Sequence, residues 1–92
     1  MLTIRRGITV QGRVQGVGFR FFTYHCAIKH RLSGWVRNCI DSSVEMEVQG
    51  SDDEVALFTE EVRRGPILAR VNKLTEIEMP VSDGEKGFAI RS

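Results

Sequence analysis

The sequence predicts an α+β domain in which two helices pack on one face of an antiparallel β-sheet. Three observations support this prediction: the chain has 92 residues, strand-like and helix-like periodicities follow one another along it, and glycines or turn residues separate most segments. A chain of this length builds one hydrophobic core, so we expect a single domain over residues 1–92. Hydrophobic residues make up 41% and charged residues 27%, a globular composition that argues against disorder.

The first half of the chain predicts a strand, a helix and a hairpin. Residues 8–14 alternate with period two, which predicts a strand, and a glycine-containing turn follows. Residues 19–31 contain no glycine or proline and carry an apolar stripe at helical spacing, which predicts a helix. A second strand begins at Trp35, and residues 44–48 alternate apolar with polar side chains. With a turn at residues 41–43 between them, these two strands form a hairpin.

The second half predicts a helix and two further strands. Ser51 and Glu54 form a capping box at a helix start, and Gly65-Pro66 ends that helix. Residues 69–79 are predicted as a long strand, and because its alternation slips once, we expect a bulge or bend there. Residues 88–90 form a short terminal strand.

The predicted order of elements is that of the ferredoxin-like fold. It runs β-α-β-β-α-β with a short additional strand at the C-terminus, which is the split βαβ pattern. Right-handed crossovers place both helices on one face of the sheet. We expect the other face to be largely solvated.

Charge and cysteine content limit the possible partners. Lys and Arg total 13 against 12 Asp and Glu, a net charge of +1, whereas a dedicated nucleic-acid binder of this size is usually clearly basic. The predicted strands also lack aromatic positions for base stacking, so we expect no nucleic-acid partner. Cys26 and Cys39 lack the Cys-x-x-Cys spacing of metal and redox motifs, and we expect two reduced thiols.

Membrane and export signals are not evident in the chain. No stretch approaches the roughly 18 consecutive apolar residues of a membrane span, and the N-terminus lacks the apolar region of a signal peptide. We therefore expect a cytoplasmic location without membrane binding.

Residues 12–20, Gly-Arg-Val-Gln-Gly-Val-Gly-Phe-Arg, lead from the first strand into the first helix. The first N–H groups of a helix have no intrahelical partner and attract anions. Gly16 and Gly18 let successive N–H groups converge, and Arg20 can hold a phosphate through two parallel hydrogen bonds. Glycine loops before helices are common. Two interpretations therefore stay open, an oxyanion site or a plain connecting turn with Arg20 in solvent.

Asn38 is a second polar candidate and ends the segment Gly-Trp-Val-Arg-Asn. Its amide offers an acceptor and two donors without charge, so beside a bound phosphate it can hold a water molecule. Sequence order alone does not bring it near the glycine loop. The residues alone favour the other interpretation, in which Asn38 only begins the hairpin turn.

Together these segments resemble the acylphosphatase family. The resemblance covers nearly the whole chain at family-like spacing, and its most specific part is the loop at residues 12–20. The other matching positions are Ala27, Gly34, Trp35, Val36, Arg37, Asn38, Val44, Glu45, Gln49, Gly50, Val55, Phe58, Gly65, Pro66, Ala69 and Val71.

The resemblance implies a ferredoxin-like enzyme that hydrolyses the carboxyl–phosphoryl anhydride bond of small acyl phosphates to a carboxylate and inorganic phosphate. It implies no metal, no other cofactor and no covalent intermediate. Arg20 and Asn38 would be the catalytic residues, with Asn38 positioning the attacking water. The phosphoryl oxygens would be held by Arg20 and by the backbone amides of Gln15, Gly16, Val17, Gly18 and Phe19. We expect a monomer that inorganic phosphate, as the product, inhibits.

The resemblance also allows a non-catalytic or accessory module that binds phosphate or carbamoyl phosphate, as in the acylphosphatase-like domain of a hydrogenase-maturation carbamoyltransferase. Because the chain starts at Met1 and closes with a strand-like segment and no linker, we expect a free-standing enzyme instead. The acyl group of the cellular substrate stays open, since acetyl, carbamoyl and phosphoglyceroyl phosphates present the same end to the loop. Loose binding of the acyl half, and hence broad specificity, is expected.

Four positions depart from the family pattern, and all lie outside the loop. His30 and Arg31 stand where Leu-Gly is common; we expect a hydrogen-bonded His30 ring at the domain edge and a small stability cost at Arg31, where glycine would adopt the left-handed conformation. Ser42 and Met46 each replace a frequent glycine, which affects stability and hairpin shape more than chemistry. Three aromatic side chains are expected on the exposed side of the first helix: Phe21, Tyr24 and His25.

Overall fold

Five strands and two helices follow one another in the predicted order in the computed structural model, which describes residues 2–92. In chain order the elements are β1 (Thr3–Arg13), α1 (Phe19–Lys29), β2 (Ser33–Asn38), β3 (Val44–Ser51), α2 (Asp52–Arg64), β4 (Arg70–Met79) and β5 (Phe88–Ile90). The first strand begins earlier than its alternation predicts, because Thr3 and Ile4 pair with β3 and residues 5–7 pair with both β3 and β4.

The sheet has the order β4-β1-β3-β2-β5. The four long strands are antiparallel, as predicted, but β5 pairs with β2 in parallel, so the complete sheet is mixed. The reason is the path of residues 80–87. Because β4 ends at the end of the sheet where β2 begins, a connection that crosses along that end enters β5 in the direction of β2.

One face of the sheet and both helices share a single hydrophobic core. Cross-strand register places Ile8 of β1 and Val36 of β2 on either side of Met46 of β3, and all three are buried. The same core contains Phe19, Cys26 and Ala27 of α1, and Val55, Phe58 and Val62 of α2. Both helices therefore pack on one face, as the element order predicts, and Met46 fills the core between them and the sheet.

The bulge predicted within residues 69–79 is present. The register of β1 against β4 shifts between Gln11, which pairs with Lys73, and Gly12, which pairs with Val71. Asn72 is the extra residue of β4, so the slip in apolar alternation marks a real irregularity in the ladder.

The opposite face of the sheet carries polar pairs that fasten the β4–β5 connection. The guanidinium of Arg5 donates to Glu47 at 2.7 Å and to Glu85 at 2.8 Å, and it is buried by these partners. Its hydrogen bonds to Glu85 hold the pKa of that carboxyl below the usual value. Gln49 exchanges two hydrogen bonds with the backbone of Ser82. This face is therefore less solvated than predicted around Arg5 of β1 and the neighbouring part of β3.

The helix α1 ends at Lys29, two residues before the predicted end. The N–H of Leu32 donates to the carbonyl of Ala27 at 2.9 Å, and the N–H of Arg31 donates to that of Ile28 at 3.1 Å. This is a Schellman motif, and its left-handed residue is Arg31, with φ of 58°. The predicted conformational cost at Arg31 therefore has a structural basis.

Replacing Arg31 with glycine is expected to stabilise the protein. Relief of the left-handed strain exceeds the entropy that glycine adds to the unfolded chain, so the free energy of unfolding rises by about 0.5–1 kcal/mol relative to Arg31→Ala. Chemical denaturation of both variants measures the difference. Since alanine removes the side chain but keeps the strain, equal stabilities of the two variants would contradict this explanation.

His30 lies at the α1–α2 boundary with both ring nitrogens in contact with carboxylates. Its Nδ1 is 2.6 Å from Oε1 of Glu54, and its Nε2 is 3.1 Å from Oε1 of Glu61. This is the hydrogen-bonded position at the domain edge that the sequence predicts. It cross-links the end of α1 to two turns of α2.

Ser42 adopts a positive φ of 77° in the β2–β3 turn, a conformation that glycine adopts at lower cost. Asp41 supports the turn, since its Oδ1 accepts from the backbone N–H of Ser43 at 3.0 Å and from the Ser43 hydroxyl at 2.6 Å. These bonds lower the pKa of Asp41. The hairpin keeps its tight shape without the glycine.

Of the three α1 side chains that the sequence predicts to be exposed, two are exposed. Phe21 and His25 face solvent, whereas Tyr24 is half-buried with its ring centroid 6.4 Å from that of Phe88. The short β5 strand covers Tyr24, which helical periodicity alone does not indicate.

The longer of the two helices has 13 residues, and no helix among residues 2–92 has the length and apolarity to cross a membrane.

Candidate anion site

The N-terminus of α1 is free of side-chain caps. Gly18 is its N-cap residue, no side chain accepts from the first turn, and that turn holds no acidic residue. The helix α2 differs, because the Ser51 hydroxyl accepts from the Glu54 N–H at 3.3 Å and its first turn contains three acidic residues. The positive end of the α1 dipole is therefore available to an external anion.

Gly16 and Gly18 give the loop its shape. Their φ angles are 74° and 78°, a region that side chains other than glycine rarely adopt. An added Cβ would meet nothing within 4 Å at either position, so the backbone borders open space. The N–H groups of residues 16–19 donate to no backbone carbonyl within residues 2–92. An anion in this concavity can accept from them.

Arg20, in the first turn of α1, is half-exposed beside these N–H groups. Its Nη1 donates to the backbone carbonyl of Arg91 at 3.2 Å, which holds the side chain beside the C-terminal end of β5. Within residues 2–92 no carboxylate pairs with Arg20. Its positive charge is thus left for a ligand.

Asn38 lies on the same cavity as the loop. The cavity has a volume of about 130 Å³ and is lined by Val14, Gly16, Gly18, Phe19, Arg20, Phe21 and Asn38. Sheet topology explains the proximity: β1 and β2 both run antiparallel to β3, so their C-terminal ends lie at the same end of the sheet. Asn38 is the last residue of β2, and the turn begins after it at Cys39.

The side chain of Gln15 connects the loop to the hairpin. Its Nε2 donates to the carbonyl of Cys39 at 2.8 Å and to the carbonyl of Ser43 at 2.9 Å. Gln15 and Val17 are not among the residues that line the cavity. The sequence predicts a role for the Gln15 backbone only. The hydrogen bonds of its side chain leave no signal in the sequence, because their acceptors are backbone carbonyls that tertiary structure brings close.

The cavity wall is neutral apart from Arg20. In the part of the chain that the structure describes, no Asp, Glu or His side chain lines it. The nearby Arg37 is paired with Glu45 at 2.7 Å, which raises the pKa of Arg37.

Cys26 lies in the core, where burial and then Glu61 raise the pKa of its thiol to about 12. Within residues 2–92, no group of three or more His, Cys, Asp or Glu side chains is placed to hold a metal ion.

Known proteins are similar to this chain in sequence and in fold. The family model for acylphosphatase matches residues 6–90. An acylphosphatase of Clostridium beijerinckii is 46% identical over 88 residues, which is 96% of this chain and 98% of that protein. The crystal structure of acylphosphatase from Bacillus subtilis superposes with a TM-score of 0.93 and 35% identity, covering 99% of this chain and 100% of that chain.

A part of a much larger protein is also similar. Full-length HypF, solved in a phosphate- and nucleotide-bound form, matches 99% of this chain with a TM-score of 0.88 and 31% identity, but the match covers only 12% of HypF. The shared fold thus occurs alone and within a larger chain. Family model, end-to-end relatives and superposed structures agree, and the chain belongs to the acylphosphatase family.

Proposed function

We propose that this chain hydrolyses small acyl phosphates by holding the phosphoryl group on the α1 N-terminus and Arg20 while Asn38 positions water. Acyl phosphate hydrolysis itself follows from membership of the family. The observation that carries the residue roles is the cavity that Gly16, Gly18, Arg20 and Asn38 share. Sheet pairing brings these residues together from 23 positions of the chain, and it places an uncharged amide beside a cation and the free N–H groups of a helix start.

The phosphoryl oxygens bind to the backbone N–H groups of residues 15–19 and to the Arg20 guanidinium. The uncapped helix start and the two left-handed glycines support this assignment, since they leave several backbone donors without an intramolecular acceptor beside one cavity. A dianion there compensates both the helix dipole and the unpaired Arg20 charge. In the transition state the same groups stabilise charge on the equatorial oxygens.

The attacking water is held by the Asn38 amide. The water oxygen forms the new bond to phosphorus while the bond between phosphorus and the acyl oxygen breaks. The electron pair of the broken bond leaves with the carboxylate. Attacking and leaving oxygens lie roughly in line in such transfers, so the acyl group faces away from Asn38. Because the carboxylate is a good leaving group, positioning and electrostatic stabilisation are sufficient.

One water proton passes to an oxygen of the substrate's own phosphate. No carboxylate or imidazole lines the cavity, which supports this route over a side-chain base. The pH–rate profile is therefore expected to lack a protein group that titrates near 7, and a bell-shaped profile centred there would argue for a side-chain base.

The experiment for the function is hydrolysis of benzoyl phosphate by the purified chain in the presence of EDTA. We expect catalytic release of inorganic phosphate, competitive inhibition by added phosphate and no requirement for metal. Asn38→Ala serves as the low-activity control. A folded wild type that binds phosphate but does not turn over would support the accessory module instead.

The accessory module is the second candidate, because a domain of HypF shares the fold. It is not favoured, since the curated relatives that this chain covers almost end to end are named as the enzyme. We further propose that residues 1–92 act as one domain, as a cytoplasmic monomer without nucleic-acid or membrane partners. Sedimentation of the active protein tests the oligomeric state.

The Gln15 side chain is expected to keep Asn38 in position. Gln15→Met removes both hydrogen bonds to the hairpin at similar volume, which lowers the free energy of unfolding by about 1 kcal/mol and kcat about tenfold. Denaturation and steady-state kinetics with benzoyl phosphate measure these changes. The inhibition constant of phosphate should change less than kcat, because the N–H donors of the loop remain. An unchanged kcat would show that Asn38 keeps its position without the hydrogen bonds from Gln15 to the hairpin.

A further inference from the structure

Phe21 is the one large apolar side chain that both lines the candidate cavity and reaches solvent. It is 65% exposed, whereas the other apolar lining residues, Val14 and Phe19, are buried in the core. Within residues 2–92, the Phe21 ring therefore forms the apolar lip of the site. A bound molecule that extends out of the cavity on this side contacts it.

The ring of Phe21 is oriented by a neighbour one helical turn away. It stacks on the His25 imidazole with centroids 6.0 Å apart and an interplanar angle of 19°. A stacked ring loses little further freedom when a second group packs on it. Aromatic surfaces arranged in this way bind planar apolar groups well.

The charges of the cavity agree with an apolar occupant. Among the described residues 2–92, Arg20 is the only cation in its lining, and the phosphoryl group pairs with it. A second anionic group on the acyl half would find no partner in the lining. In-line attack from Asn38 also directs the acyl group away from β2. Apart from Val14, which is buried, the other side chains of the wall belong to α1, and Phe21 is one of them.

From this placement we infer that Phe21 is a specificity-determining residue that packs against the acyl group and favours aromatic or other planar apolar acyl phosphates over small or doubly anionic ones. The inference rests on the proposed function of the site. It narrows the broad specificity that the sequence predicts.

The test compares benzoyl phosphate with acetyl phosphate in wild type and Phe21→Ala. We expect the ratio of kcat/KM for the two substrates to fall about tenfold in Phe21→Ala, because only the aromatic acyl group loses its packing partner. Phe21→Leu should keep part of the preference. The matched control is Ile28→Ala, which removes a half-exposed apolar side chain of α1 outside the cavity and should leave the ratio unchanged.

Binding without turnover gives a second measurement. The inhibition constants of benzylphosphonate and methylphosphonate should differ in wild type and converge in Phe21→Ala. A substrate ratio that Phe21→Ala does not change, or equal losses on both substrates, would overturn the inference while leaving the hydrolase intact. A wild type inactive on both substrates would instead overturn the proposed function, and this inference with it.

Discussion

Replacing Asn38 with alanine should lower kcat for benzoyl phosphate by about 10²-fold or more, because a water that is no longer held in line reacts far less often. Phosphate binding should persist, since the loop N–H groups and Arg20 are untouched. The measurements are steady-state kinetics and the inhibition constant of inorganic phosphate. The expected pattern is a large loss in kcat with an inhibition constant within about threefold of wild type, because removing a group that acts only in the transition state leaves ground-state binding in place.

Asn72→Ala is the matched control for this variant. Asn72 is an exposed asparagine in the β4 bulge, outside the residues that line the cavity. It should keep wild-type kinetics. If Asn38→Ala weakened phosphate binding in proportion to its loss of kcat, Asn38 would be a phosphate ligand, and its role in placing water would be wrong.

Replacing Arg20 with alanine should have the second large effect. It removes the cation that lines the cavity, so we expect phosphate inhibition to weaken about 10²-fold and kcat/KM to fall by about 10³-fold. Isothermal titration with phosphate and steady-state kinetics measure the two losses. Arg20→Lys keeps the charge but not the planar fork of donors and should recover only part of the binding.

Arg20 also contacts the C-terminal segment, so stability must be separated from chemistry. Its hydrogen bond to the Arg91 carbonyl is exposed, and its loss should cost little free energy of unfolding. Arg13→Ala, an exposed cation at the end of β1 outside the cavity, controls for net charge. Wild-type phosphate binding by Arg20→Ala would exclude Arg20 as a ligand.

Local patterns in the sequence were sufficient for most of the fold. Alternation predicts the strands, the Ser51–Glu54 box predicts the start of α2, and a slip in alternation predicts the bulge at Asn72. These features can be predicted from residues that are close in the sequence, because hydrogen bonds and apolar faces within one element repeat at fixed spacing. The parallel β5 strand has no such signal, since its direction depends on the path of a loop across the sheet.

The sequence by itself determined the donors of the candidate site: a glycine loop, a helix start without an acidic residue, and Arg20. Tertiary structure alone decided what stands beside them. Pairing of β1 and β2 with β3 brings Asn38 to the loop, and the Gln15 side chain joins loop and hairpin through backbone carbonyls that no residue type encodes. Local propensity fixes which groups a loop offers, whereas long-range strand register fixes which groups meet across a cavity.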